Sequence, residues 1–308
     1  MNPGRERDGL PHLGPNEEIG SGLRRTLDAC LQHAAQKRAQ LPGEKTVHET
    51  RRALKRARAI LRLAEKFDVR GAKAGRRQLS QLGRELSPLR DETVVAKTAD
   101  ALIRFPDAET RVALAGLRTR TKSNPAQRAA ARRWWQAWRR RLESQRRKLA
   151  RLTWGELAEY DLQHALHHQA KRLKRRARAA RKSPRDVHAA HEWRKAAIAL
   201  REQVRVLRAV LGQETADALS ARLHRLSHRL GQAIDQHLLI EHIGGRSWPV
   251  NLRGGLRQLE RASQHERRRA LKRAHQSWPK LRRQLRRELG KLRSSVARRP
   301  RVSSGHGN

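Results

Sequence analysis

Cysteine is nearly absent from this 308-residue chain. Cys30 stands alone, so no disulfide can form within the chain, which suits a reducing cytosol. It lies in the helical run "LRRTLDACLQHA" and reads as a small buried core residue rather than a nucleophile. Aromatic residues amount to 3% and β-branched residues are sparse, which argues against a sheet-built fold. No apolar run approaches the roughly 20 residues of a membrane span. The start, "MNPGRERDGLPHLG", lacks the apolar stretch of a secretory signal. Acids are scarce, 29 against 72 lysines and arginines, and none forms a convincing catalytic pair. There is no "GxxxxGK" loop, no serine or cysteine nucleophile in a recognisable setting, and no ligand set for structural zinc. These absences lead to an expectation of no catalysis, no metal, no cofactor and no membrane insertion, in a cytoplasmic protein.

What is abundant points to helices and to anions. Alanine, leucine, arginine, glutamine, lysine and glutamate favour helix, so the expected fold class is all-α. The formal net charge of +43 makes the chain repel itself and draw anions to its surface. Such a surplus fits a partner with many negative charges in a row: nucleic acid, an anionic membrane or a polyphosphate. Arginine exceeds lysine, and its planar fork grips phosphate with two donors where lysine offers a point charge.

Residues 1–19 are rich in Gly and Pro, lack periodicity and read as disordered, as does the basic tail at 299–308. Between them helical patterns run between short breakers at Pro42, Pro88, Pro106, Ser123 to Pro125, Ser183–Pro184 and Gly244 to Pro249. Two blocks recur in order. "HETRRALKRARAILRLAE" from His48 aligns with "HEWRKAAIALREQVRVLR" from His191, and "LGRELSPLRDETVV" from Leu82 with "LSHRLGQAIDQHLL" from Leu226. The repeat predicts two homologous helical bundles, 20–155 and 156–298, of four or more helices each.

The first block is amphipathic. At roughly 100° per residue, Thr50, Ala53, Leu54, Ala57, Ile60, Leu61 and Ala64 gather on one side. His48, Arg51, Arg52, Lys55, Arg58 and Arg62 gather on the other as a cationic strip. Thr46 with Glu49 reads as a capping box, which would place free N–H groups near His48. The second block repeats the layout with His191, Arg194, Lys195, Arg201 and Arg205, but Ile198 replaces the cation at the Lys55 position. A charged face is usually only solvated; here it occurs twice with almost no acids to balance it. Replacing Arg51, Arg52 and Lys55 together with Ala is expected to leave the helical fold intact and weaken anion binding. Elsewhere, the pairs among His164, His167 and His168, and His224 with His228, read as helix surface or extra anion contacts. In "RRWWQAWRRR", Trp134 and Trp138 read as a core stripe, while Trp135 stays open between core and a base-stacking platform.

The four blocks together resemble the CHAD family, the conserved histidine α-helical domain, whose pattern looks like "VHxLRVxxRRLRxxL" followed by "LGxxRDxxV". The resemblance covers residues 20–298. It implies two helical bundles related by pseudo-twofold symmetry with a basic cleft between them. It further implies non-catalytic binding of inorganic polyphosphate, at polyphosphate granules in some settings. Carried over, the binding residues are His48, Arg51, Arg52, Lys55, Arg58, Arg62, Arg90, His191, Arg194, Lys195, Arg201 and Arg205. Asp91 and Asp235 match the "RD" aspartate and would hold a basic side chain in place, while Ile234 stands where Arg90 does. Some relatives carry a triphosphate-tunnel hydrolase domain, whose "ExExK" strand motif is missing here, so a stand-alone binder is expected. The competing reading is sequence-independent nucleic-acid binding, which the charge and the tail fit equally well.

Overall fold

The computed structural model describes residues 10–35, 43–102, 107–119, 125–155 and 157–297, without the side chains of 89–93, 118–119, 125–129 and 292–297. Residues 1–9, the 299–308 tail, and the breakers at Pro42, Pro106 and Ser123–Asn124 lie outside them. The described residues form helices and connecting turns, with no strand among them. In chain order the helices are α1 (Ile19–Ala35), α2 (Glu44–Ala64), α3 (Ala72–Glu85), α4 (Pro88–Leu102), α5 (Ala108–Thr119) and α6 (Pro125–Ala150). Then follow α7 (Glu159–Lys182), α8 (Val187–Val206), the short α9 (Arg208–Leu211), α10 (Gln213–Gly244) and α11 (Arg253–Ala297).

The breakers act where the backbone has no alternative. Pro88 and Pro125 open α4 and α6, where a missing N–H costs nothing. Gly212 starts α10 at φ 79°, a left-handed conformation that a side chain resists. Asp186 caps α8 by accepting from the His188 N–H at 2.8 Å.

The helices close into two rings. In one, α1, α2, α3 and α6 pack in sequence around an interior; in the other, α7, α8, α10 and α11 do the same. The rings meet along α2 and α8, and one apolar core runs through both. The predicted apolar stripe of α2, from Thr50 to Ala64, is buried throughout. On α8, Trp193, Ala196, Ala197, Leu200 and Val204 are buried, and Glu202 and Gln203 with them, so most of its circumference is covered. Helices α4 and α5 leave the first ring and pack on α10 and α11, where Val95, Leu114, Trp248 and Leu259 share a smaller core.

Two expectations need correcting. Residues 10–18, read as disordered, are packed: Leu10 and Leu13 are 2% and 1% exposed, and the Leu13 N–H donates to the Val206 carbonyl at 3.0 Å. Two leucines among glycines and prolines are enough to pin the segment at the end of α8, beside Arg56 of α2. On α6, Trp135 and Trp138 are the fully buried pair, stacked with ring centroids 4.9 Å apart, while Trp134 is only partly buried. Helix α6 touches both α1 and α3, so its core stripe is wider than a single i, i+4 line. The Trp138 indole N–H donates to the Leu82 carbonyl, and a base-stacking role for Trp135 is excluded by its burial. Cys30 is fully buried.

Candidate functional site

Helices α2 and α8 bring the two predicted strips to the centre of the molecule. At their crossing the space is filled: Arg56 and Glu202, 0% and 4% exposed, form an ion pair at 3.1 Å. The Arg56 guanidinium also reaches the Pro11 carbonyl at 3.4 Å, and Gln203 Nε2 donates to the Ala59 carbonyl at 3.2 Å. The strips therefore do not look at each other across open space at this point. Each turns towards its own neighbouring helices.

On α2, Arg51, Arg52, Lys55, Arg58 and Arg62 are all half-buried, so the strip is not an ordinary solvated face. Arg51 Nη1 donates to the Gly83 carbonyl at 2.9 Å and to Ser87 Oγ at 3.1 Å, tying α2 to the end of α3. Replacing Arg51 would therefore also remove two contacts to α3. Arg58 is the most unusual member. Burial, together with the charges of Arg76, Arg51, Arg84 and Arg172, pushes its guanidinium down to about 10. Its Nε has no hydrogen-bond partner among the described residues. Arg76 is held by Glu65, and Arg176 beside Arg172 reaches Glu192 at 3.4 Å. Arg172 is lowered too, by burial and by Arg176, and its Nη1 is also unpartnered. The cluster joins α2 and α3 of one ring to α7 of the other.

His48 is exposed, but it does not mark the helix start. Helix α2 begins at Glu44 behind Gly43, with no side-chain cap. The Val47 N–H already bonds the Gly43 carbonyl, so the capping box on Thr46 does not form and the free N–H groups lie before His48. Arg90 and Asp91 lie outside the described side chains.

On α8, His191 is half-buried, and burial with Lys195 and Arg194 nearby holds it below the usual histidine range. Lys195 pairs with Glu192. The Arg194 guanidinium lies over Gly231 of α10, with Nη2 2.9 Å from where a Cβ would sit. Arg201 donates to Glu202 at 2.7 Å and lies 2.9 Å from His224 Nδ1, with Arg205 close enough to act on the same imidazole. Next to them His224, Arg225, His228, Arg229 and Arg273 line a groove of about 360 Å³ between α10 and α11. Ile234 is buried, as an apolar residue at that position requires.

Sequence reasoning found the two strips but missed their partners. Arg76, Arg84 and Arg172 carry no motif, and only proximity in space recruits them. Arg56 did leave a signal: it is the one cation of its helix that falls in phase with Ala53, Ala57 and Ile60. No group of His, Cys, Asp and Glu that could hold a metal occurs among the described residues, and none of their helices is long and apolar enough to cross a membrane.

The CHAD domain family model matches residues 22–244. The chain belongs to the CHAD domain family. CHAD domains are associated with polyphosphate binding in general. The crystal structure of the CHAD domain from the plant Ricinus communis matches with a TM-score of 0.60 at 21% identity, covering 92% of this chain and 96% of that one. That likeness is one of fold. No curated protein matches the chain.

Proposed function

We propose that this chain is a non-catalytic binder of inorganic polyphosphate, acting through the basic strips of α2 and α8. Its setting is the cytoplasm, at polyphosphate granules. The observation that carries the reading is the Arg58 cluster. Cations of three helices crowd there, and burial first, then the charges of Arg76, Arg51, Arg84 and Arg172, holds Arg58 down at about 10. A chain of phosphates relieves the crowding by placing an anion beside each guanidinium. The contacts are preformed, because Arg51 and Arg201 are already held by hydrogen bonds. Arg58, Arg76, Arg84 and Arg172 bind on one side; Arg201 and Arg205, with His224, bind on the other.

The test is a competition titration at physiological salt. Labelled long-chain polyphosphate is bound first and challenged with duplex DNA, single-stranded RNA and heparin at matched charge concentration. Polyphosphate should be retained against all three. Equal displacement by every competitor would leave a general polyanion surface, and preferential displacement by DNA or RNA would favour a nucleic-acid binder. Because Arg51 holds α3, the strip is best probed by Arg52→Ala, Lys55→Ala and Arg172→Ala together. Each charge-assisted phosphate contact contributes roughly 1.5–3 kcal/mol, so affinity should fall by at least about tenfold.

A further inference from the structure

Helix α7 carries cations on two opposite sides. Arg172 and Arg176 face the Arg58 cluster and Glu192. Lys174, Arg178 and Arg181 are about half a helical turn away, and they meet α11 instead. There a groove of about 480 Å³ is lined by Arg178, Arg181, Trp278, Pro279, Arg282 and Arg283. Its size falls within the roughly 300–1,000 Å³ of small-molecule sites.

The groove has two kinds of surface. Its apolar part is Ala177, Trp278 and Pro279, beside His275. Trp278, partly buried, packs edge-on against the fully buried Trp193 with centroids 6.0 Å apart and planes at 88°. Pro279 follows it inside the helix, where it removes a backbone hydrogen bond and presents its ring beside the indole. The rim is cationic. Arg178, Arg181, Arg282 and Arg283 are exposed and take part in no ion pair among the described residues. Glu288, the acid farther along α11, is engaged by Arg287 and Lys291. Lys174 is lowered by Arg178 and Arg282, so the cations of the two helices stand close enough to feel one another.

A bare phosphate chain has no use for an indole and a proline ring. A ligand that joins a flat ring to several phosphates uses both surfaces. We infer that the α7–α11 groove is a second site, separate from the polyphosphate strips, and that it takes a nucleoside polyphosphate. The base lies on Trp278 and Pro279, and the phosphates lie among Arg178, Arg181, Arg282 and Arg283. Rings stack on aromatic faces regardless of base identity, so the site selects the class and not one nucleotide.

The test uses the full chain with ATP, adenosine and tripolyphosphate, read by calorimetry and by tryptophan fluorescence. ATP should bind more tightly than tripolyphosphate, and adenosine should bind least. Arg178→Ala with Arg282→Ala, both exposed positions, should weaken ATP by about tenfold or more through loss of charge-assisted contacts and leave long-chain polyphosphate affinity unchanged. Trp278→Leu should weaken ATP and spare tripolyphosphate, with circular dichroism confirming the fold. If the arginine pair leaves ATP unaffected, or if Arg58→Gln removes ATP binding instead, the groove is not the site. If ATP and tripolyphosphate bind equally in the unaltered protein, the ring contributes nothing and the inference falls. A chain that binds ATP in this way but not long polyphosphate would sink the proposed function and leave this site standing.

Discussion

Arg56 and Arg58 are two positions apart on α2 and have opposite surroundings. Arg56 is fully buried and paired, and its partner Glu202 stays below the usual carboxylate range: burial raises it, but Arg56 and Arg201 outweigh that. Removing one member of such a pair leaves an uncompensated buried charge and costs about 3–5 kcal/mol, so Arg56→Met and Glu202→Gln should each lower stability by that order. The double variant should recover most of the loss, and denaturant melts measure both. Since the Glu202 pKa is depressed on folding, its contribution is present above the unfolded carboxylate range and fades as pH falls through the folded value. Arg58 behaves in reverse. Its folded value of about 10 lies below the ordinary arginine range, so its charge opposes folding at every pH below about 10. That cost fades as pH rises above about 10. Arg58→Gln should therefore raise the melting temperature of the anion-free protein while weakening polyphosphate binding. A variant that lowered both would show that Arg58 is structural.

At the scale of elements, the motif helices were legible because amphipathic periodicity and breakers are local. The apolar stripe of α2, the burial of Trp193 and Leu200 on α8, and the starts of α4 and α6 all follow from neighbours in sequence. The packing of α4 and α5 was not legible, because it depends on Gly254 and Gly255 far downstream. A Cβ at Gly255 would lie 2.4 Å from the Glu109 carbonyl oxygen, so α5 and α11 touch backbone to backbone. Backbone cannot step aside as a side chain does. Gly255→Ala should push α5 off α11, cost a few kcal/mol by the order of overpacking a tight interior, and increase hydrogen exchange in α4 and α5. The Arg58 and Arg201 clusters lie on other helices, so polyphosphate affinity should stay within about twofold of the unaltered protein if they form the site. The cluster itself was half legible. The strip could be read from the first block, but Arg172 stands on α7 with nothing in its local pattern to tell it from the many other arginines. Leu10, Leu13 and the Arg56–Glu202 pair were hidden for the same reason: their partners are distant in sequence.

At the scale of the whole molecule, a net charge of +43 means that the folded state concentrates repulsion that the unfolded chain spreads out. Stability and anion binding are therefore coupled. A ligand that binds only the folded form adds about 2.7 kcal/mol at a free concentration of 100 times its dissociation constant. For a chain of this size that corresponds to a rise of roughly 5 °C in melting temperature. Simple salt acts on both sides of the coupling. It screens the repulsion and should stabilise the free protein, and it weakens polyphosphate binding by reducing the gain from counterion release. Melting curves recorded with and without polyphosphate should thus converge as sodium chloride is raised, the free protein moving up and the complex losing its advantage. A polyphosphate-induced shift that stayed constant with salt would mean that the anion does not act through these cations.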